Sequence, residues 1–375
     1  MDKKTWLQNP TWDGIWLHSG LWLIPVIGVL AIAPQTLILA SALATLALWL
    51  AHRIATMFTA FCFSSYRSLV KKYHKRFVIA PLAVMIVTTG FLFVPLPLSI
   101  TNRVLFLGTL FFLINTYHFA VQHFGVLTIY RIRSEQRFSA EQRNMERSRC
   151  LILGGWCVAL GQILHGADVV RESLLAPLTD YSLPFYVKIA GVIFAIGIGG
   201  VMFNHESKQT PSSKGKRLYI LGLAAQAALA FILPPLPFLM LWSVQHWLVS
   251  IALATHMAES DAQLEQTTES RWFSFWRKVN RRPIAVVLTL VFTSVIAAPL
   301  LLIPTKLLLG TGGLLPFIEL LQTLYHQHEP LTLLLIGINF GTVFCHFIYD
   351  RAVFRFSHED TRAISGPLLF GQQRR

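Results

Sequence analysis

Charged residues are scarce in this chain of 375 residues: only 13% are Asp, Glu, Lys or Arg, whereas 54% are hydrophobic. The mean hydropathy is +0.54. Soluble domains carry about 25% charged residues, so the composition excludes an ordinary soluble fold and is typical of a protein that crosses the bilayer several times. Negatively charged residues are rarer than positively charged ones, with 18 Asp and Glu against 32 Lys and Arg.

Cysteine is also rare, and the four cysteines have no paired spacing. A disulfide framework, a Cys-x-x-Cys redox motif and a c-type haem attachment are therefore excluded. The chain also lacks several catalytic motifs, namely HExxH, ExxH, GxSxG and the Walker A loop. These absences argue against a zincin, a ferritin-type di-iron bundle, an α/β-hydrolase and a P-loop NTPase. Membrane desaturases carry HxxxH and HxxHH boxes, and the chain contains neither box.

Long apolar runs dominate what is present, and they predict an all-α, polytopic membrane helical bundle of about ten transmembrane helices. An additional apolar stretch, 312–325, is too short to cross and predicts an interfacial or re-entrant helix. The predicted spans are 15–34, 36–63, 77–97, 104–130, 150–166, 184–203, 217–234, 236–258, 284–304 and 331–350.

Most Lys and Arg residues lie in segments that follow even-numbered spans. The positive-inside rule therefore predicts that both termini are cytoplasmic. The basic excess then reflects topology and lipid contact, so no nucleic-acid partner is expected. We expect one membrane domain, residues 1–375, in a bacterial inner membrane. The predicted cytoplasmic segments are the loops 64–76, 131–149, 204–217 and 259–283 and the tail 351–375.

Seven histidines lie within or at the ends of the predicted spans, and all map to the cytoplasmic half of the membrane. They are His18, His52, His118, His123, His246, His256 and His346. Ionisable residues in the bilayer core are rare and usually functional, and imidazole is the commonest protein ligand for transition metals. At about 1.5 Å of rise per residue, they form a deeper layer of three and a shallower layer of up to four. We expect all seven to converge, with the imidazoles of His52, His118, His246 and His346 within about 10 Å of a common centre, which predicts one shared metal site.

Polar residues recur on single faces of these helices. Asn115, His118 and Gln122 are spaced i, i+3, i+7, while His346 and Asp350 are spaced i, i+4. An i, i+4 pair lies on one helical face, so Asp350 is predicted either to share a metal with His346 or to orient its imidazole. Arg53 needs a partner at its depth. We expect a protein group such as Asp350, with a carboxylate or phosphate of a substrate as the alternative.

These patterns predict a set of metal ligands and a set of polar residues that support them. The predicted ligands are His52, His118, His123, His246, His256, His346 and Asp350. The predicted supporting residues are Gln122, Gln245, Asn339 and Arg53. His165, His326 and His328 are predicted to lie on the opposite side of the membrane, with no role assigned.

Three functions are compatible with a buried histidine cluster. The favoured one is a metalloenzyme, namely a non-haem iron oxygenase, hydroxylase or desaturase with one or more iron ions. Its substrate would be a lipid or another hydrophobic small molecule, and an external donor would supply electrons. The first alternative is a redox protein that binds haem b through two histidines. The second is a transporter of protons, metal ions or a solute. Copper is a further candidate for the bound cofactor.

Overall fold

The computed structural model describes residues 5–30, 32–165, 168–171, 173–180, 185–264, 270–308 and 328–371. The regular secondary structure of these residues is helical, which confirms the all-α class. Two π-helical turns, Lys75–Ile79 and Ile152–Cys157, precede α5 and α8. The α-helices are α1 (Pro10–Trp16), α2 (Ser19–Leu30), α3 (Gln35–Cys62), α4 (Arg67–Lys72), α5 (Ala80–Phe93), α6 (Ile100–Arg133), α7 (Ala140–Leu151), α8 (Val158–Leu164), α9 (Asp168–Arg171), α10 (Phe185–Ser207), α11 (Lys214–Leu229), α12 (Pro235–Gln263), α13 (Arg271–Asn280), α14 (Pro283–Leu308), α15 (Glu329–Val353) and α16 (Glu359–Phe370).

Four helical segments of the described chain are long and apolar enough to cross a membrane: Lys75–Phe93, α6, α10 and α15. The helices α1 and α2 meet at a bend of 50° and add a fifth if they form one span. Shorter apolar helices occupy Ala47–Cys62 and Pro283–Val295. These helices are compatible with a membrane protein, whereas the count of about ten spans and the cytoplasmic termini stay predictions. The segment 312–325 lies outside the described residues.

The chain divides into two compact units. The first unit consists of residues 1–40 and 108–249, and the second consists of residues 41–107 and 250–375. Each boundary falls inside a helix, namely α3, α6 or α12. The single membrane domain expected over 1–375 stays a prediction, and the two units are described separately below.

A buried group of charges joins four helices of the first unit. Lys216 of α11 is 1% exposed, and its Nζ lies 2.7 Å from Glu146 of α7 and 2.9 Å from Glu206 of α10. Arg131 of α6 lies 2.8 Å from the same Glu146. Two cations therefore face two carboxylates, which balances charges that would each be costly to bury alone.

In the second unit, α15 packs closely against α5 through two glycines. Gly337 and Gly341 form a G-x-x-x-G motif, whose small residues allow helix backbones to approach each other. A Cβ atom added to Gly337 would lie 2.8 Å from Cα of Thr89, and one added to Gly341 would lie 2.5 Å from the sulfur of Met85. At Gly337, whose neighbour is backbone, the close packing of α15 therefore requires glycine, and α15 carries His346 and Asp350.

A buried carboxylate fixes the C-terminal end of α3 in the second unit. Asp261 of α12 is 2% exposed and accepts hydrogen bonds from the backbone N–H groups of Ser64 and Ser65, at 3.0 and 2.9 Å. The hydroxyl groups of both serines also donate to it. The turn that ends α3 is thus held by four hydrogen bonds, which restricts the helix that carries His52.

Candidate metal centre

Two histidines and one aspartate meet in the second unit. His346 and Asp350 lie one turn apart on α15, and Nδ1 of His346 is 3.5 Å from Oδ1 of Asp350. His52 of α3 faces the same place, with its ring centroid 4.2 Å from that of His346. The two imidazoles are 3% and 2% exposed, and the aspartate side chain is 11% exposed. Three strong metal-binding groups therefore converge in a largely buried position.

The distances within this group suit a metal ion. One ligand atom from each of His52, His346 and Asp350 lies within 4.8 Å of the others. Metal–nitrogen and metal–oxygen bonds of about 2.1 Å separate two ligands of one ion by about 3–4 Å. Side-chain shifts of about 1 Å would therefore bring the three groups into one coordination sphere, and we call them the His52–His346–Asp350 group.

The surroundings of His346 allow two roles for Asp350. Oγ1 of Thr56 lies 3.2 Å from Nδ1 of His346, on the same side of the ring as Asp350. Metal-binding imidazoles commonly donate their second N–H to a carboxylate or another acceptor. Asp350 is thus placed either to bind the ion itself or, together with Thr56, to hold the tautomer that presents Nε2 to the ion.

Arg53 has protein partners, but they differ from the carboxylate that the sequence suggested. Its Nη1 donates to Oδ1 of Asn339 at 3.0 Å and to Oγ1 of Thr342 at 3.3 Å. The guanidinium carbon lies 3.3 Å from the centroid of the Trp49 ring. The partner proposed from sequence, Asp350, lies about 16 Å of helix rise beyond Asn339 on α15, which explains why the nearer amide is used. Asn339 therefore supports Arg53.

The first unit contains a second pair of histidines, His118 of α6 and His246 of α12. Their ring centroids are 5.0 Å apart, and the ring of Phe119 stacks on His246 at 3.5 Å. Gln122, one turn after His118, donates its amide N–H to the backbone carbonyl of His246 at 3.1 Å. The structure thus forms one histidine pair in each unit. A centre common to all four imidazoles stays a prediction.

His123 and His18 belong to a hydrogen-bonded network in the first unit. Nδ1 of His123 lies 2.8 Å from the hydroxyl of Tyr219, which also accepts the amide N–H of Gln245 at 3.3 Å. Nε2 of His18 lies 2.8 Å from the carbonyl of Gly215. On regular α6, His123 is five residues beyond His118 and points to a different neighbour, as their helical spacing predicts. Gln245 supports Tyr219 in this network.

The remaining histidines have separate surroundings. His256 is half-buried in the second unit, and its Nε2 lies 3.0 Å from the carbonyl of Leu369 in α16. His165 is half-buried after α8, and His328 is exposed before α15. His326 lies outside the described residues. The ligand role predicted for His256 and the side of the membrane predicted for His165 and His328 stay predictions.

Three residues around these histidines were missed because their sequence signals are common in any helix. Thr342 lies three residues after Asn339 and four before His346, so it continues the polar face of α15. Trp49 lies four residues before Arg53, which places the two side chains on one face of α3. Tyr219 gave no signal, because a tyrosine in an apolar helix is usual and its partner is distant in sequence.

No known family model, curated protein or solved structure matches this chain. The chemistry of the residues that the fold brings together is therefore what indicates the function.

Proposed function

We propose that the protein is a membrane-embedded metalloenzyme that uses non-haem iron to oxidise a hydrophobic substrate. The observation that carries the proposal is the His52–His346–Asp350 group, in which ligand atoms lie within 4.8 Å of one another. Two histidines and one carboxylate are the donor set of the non-haem Fe(II) oxygenases, which leaves the other coordination positions open. Bound there, iron would supply the activation of O₂.

The protein groups around this site have distinct tasks in the proposal. His52 and His346 would bind the ion through neutral imidazole nitrogens, and Asp350 would offset part of its charge. Thr56 would hold the ring of His346 in place. Burial of both imidazoles keeps water away from the open positions. The lipid around the apolar helices would dissolve both O₂ and an apolar substrate.

The reaction class requires an external reductant. Hydroxylation of a C–H bond by O₂ consumes two electrons and two protons, inserts one oxygen atom into the bond and releases the other as water. The four cysteines are buried as free thiols, and no flavin or iron–sulfur motif is evident in the sequence. We therefore expect a separate electron-donor protein or a reduced small molecule as partner.

Elemental analysis of the full-length protein, purified in a neutral detergent, tests the proposal. We expect iron in the wild type, no Soret band in its visible spectrum, and a loss of roughly 10-fold or more of the iron in His346→Ala. His328→Ala is the matched control, because this imidazole is exposed, and it should retain the wild-type ratio of iron to protein.

Three results would contradict the proposal in different ways. A Soret band would indicate haem. Stoichiometric copper or zinc in place of iron would keep the site but reject the proposed chemistry. A wild-type protein that binds no transition metal, even after incubation with Fe(II) under anaerobic conditions, would reject the metal centre and point to transport.

A further inference from the structure

Arg53 is a buried cation, and its contacts with the described residues are all to neutral groups. It is 3% exposed, it donates from Nη1 to Asn339 and Thr342, and the ring of Trp49 covers one face of the guanidinium. Hydrogen bonds to neutral groups and a cation–π contact solvate the charge but do not neutralise it.

Other buried arginines of the described chain are better compensated. Arg131 pairs with the carboxylate of Glu146, and Arg103 donates from three nitrogens to four backbone carbonyls between residues 92 and 98. By contrast, no carboxylate among the described residues forms an ion pair with Arg53. Buried charges are ordinarily paired, because an isolated ion is costly to remove from water. Arg53 is therefore the cation in this region that an added anion would stabilise most.

The uncompensated part of Arg53 has a defined shape. Within the described part of the chain, Nε and Nη2 have no hydrogen-bond partner. These two nitrogens lie on the same edge of the planar guanidinium, and their N–H groups point the same way. Such an edge matches the two oxygens of a carboxylate and binds them through two parallel hydrogen bonds.

The position of Arg53 connects this edge to the candidate metal centre. Its partners Asn339 and Thr342 lie seven and four residues before His346 on α15, which corresponds to about 6–10 Å of helix rise. Its neighbour in sequence, His52, is itself a member of the group. Arg53, its partners and His52 all lie in the second unit. An anion held by Arg53 would thus lie roughly one to two helical turns from the metal.

We propose that Arg53 binds the carboxylate of the substrate, so that the substrate is an amphiphile with a carboxylate head and an apolar chain, of the fatty-acid class. This inference rests on the function proposed above and names the substrate of that same site. The N–H groups of Nε and Nη2 donate two hydrogen bonds to the carboxylate. The side chains of Asn339, Thr342 and Trp49 hold the guanidinium in place. The apolar chain of the substrate extends among hydrophobic helices. Neither nitrogen is exposed to solvent, so entry requires the half-buried Trp49 ring to move.

Binding of radiolabelled dodecanoate to the purified full-length protein, at pH 8 and below micelle formation, tests this inference. We expect saturable binding by the wild type that unlabelled dodecanoate competes away. Dodecanol, which has the same chain but no charge, should compete at least about tenfold less well, because two charge-assisted hydrogen bonds are lost. Dodecyl phosphate tests the other oxyanion. Its head also fits the edge of the guanidinium, but it carries nearly two negative charges at pH 8 against one buried cation, so it should compete less well than dodecanoate.

Variants assign the binding to Arg53. Arg53→Gln should weaken dodecanoate binding about tenfold or more, and Arg53→Lys should weaken it too, since lysine keeps the charge but not the two-pronged edge. Arg351→Gln is the matched control, an exposed arginine on the same helix as Asn339, and it should bind as the wild type does. If Arg53→Gln does not fold, the lysine variant and the wild-type competition decide the question.

The outcomes separate this inference from the function on which it rests. Equal competition by dodecanol, stronger competition by dodecyl phosphate, or unchanged affinity in folded Arg53→Gln and Arg53→Lys would each overturn the carboxylate site. Because binding is also measured on protein stripped of metal by a chelator, dodecanoate specificity can survive a failure of the iron proposal. Conversely, bound iron without dodecanoate specificity would reject the substrate class alone.

Discussion

The pairing of His346 with Asp350 shows how one helical turn can build most of a site. The two residues are four apart on α15, so they share a face, and Nδ1 of His346 lies 3.5 Å from the carboxylate. This geometry allows Asp350 either to bind the metal itself or to orient the imidazole of His346 that binds it. The two roles differ in what they require of the negative charge.

Replacement of Asp350 by asparagine distinguishes a role in metal binding from a merely structural one. The amide keeps the shape but can neither neutralise a cation nor hold an imidazole N–H as firmly, so we expect Asp350→Asn to lose about 10–100-fold in metal affinity while the protein stays folded. The measurement is the metal-to-protein ratio of variant and wild type purified side by side, with Asp360→Asn, a partly exposed aspartate of α16, as the control. An unchanged ratio would remove Asp350 from the site and weaken the assignment of iron, since imidazoles alone fit copper or haem at least as well.

At the scale of whole elements, the position of α15 depends on its glycines. Helices in a membrane lack a hydrophobic force that drives them together, so close backbone approach and van der Waals packing stabilise their association. Gly337 is the more sensitive of the pair, because its neighbour is backbone: an added Cβ would lie 2.8 Å from Cα of Thr89. At Gly341 the nearest atom is the sulfur of a flexible methionine, which can move aside.

We therefore expect Gly337→Ala to lower the free energy of unfolding by about 1–3 kcal/mol, the usual range for an overpacked position. Thermal unfolding of the purified protein in detergent measures the effect. Gly366→Ala in α16 is the control, because nothing lies within 4 Å of a Cβ added there, and alanine favours a helix over glycine by up to about 1 kcal/mol. Equal stability of the Gly337 variant and the wild type would show that α5 and α15 are not held as closely as described.

For the whole molecule, charge placement is the strongest argument about topology. Basic residues accumulate in the predicted cytoplasmic segments, and such a bias orients membrane proteins because the loops that carry it remain on the cytoplasmic side. The helices described here are compatible with a membrane location, and the direction predicted for each crossing rests on the charges alone.

Labelling of single cysteines in intact cells tests this topology. Cysteine placed at Glu329, the exposed first residue of α15, should be blocked by an impermeant thiol reagent added outside. Cysteine placed at Ser207, the exposed last residue of α10 within the predicted cytoplasmic segment 204–217, should not. The four native cysteines are buried, so their background reaction should be slow. The reverse pattern of labelling would invert the topology and remove the depth argument that first grouped the histidines.

Local properties of the sequence were sufficient for the class of the protein and for the face of α15. Hydropathy predicted apolar helices because burial of apolar side chains in lipid depends only on composition and length. The four-residue spacing of His346 and Asp350 predicted a shared face because helical geometry is the same everywhere.

The meeting of His52 with His346 was decided by tertiary packing alone. The two residues are 294 positions apart in the sequence, and no local pattern links them. Packing also gave Arg53 neutral partners in place of Asp350 and left one edge of its guanidinium available. These outcomes depend on which helices lie side by side, and that choice arises from many weak contacts between residues far apart in the chain, such as the approach of Gly337 to Thr89.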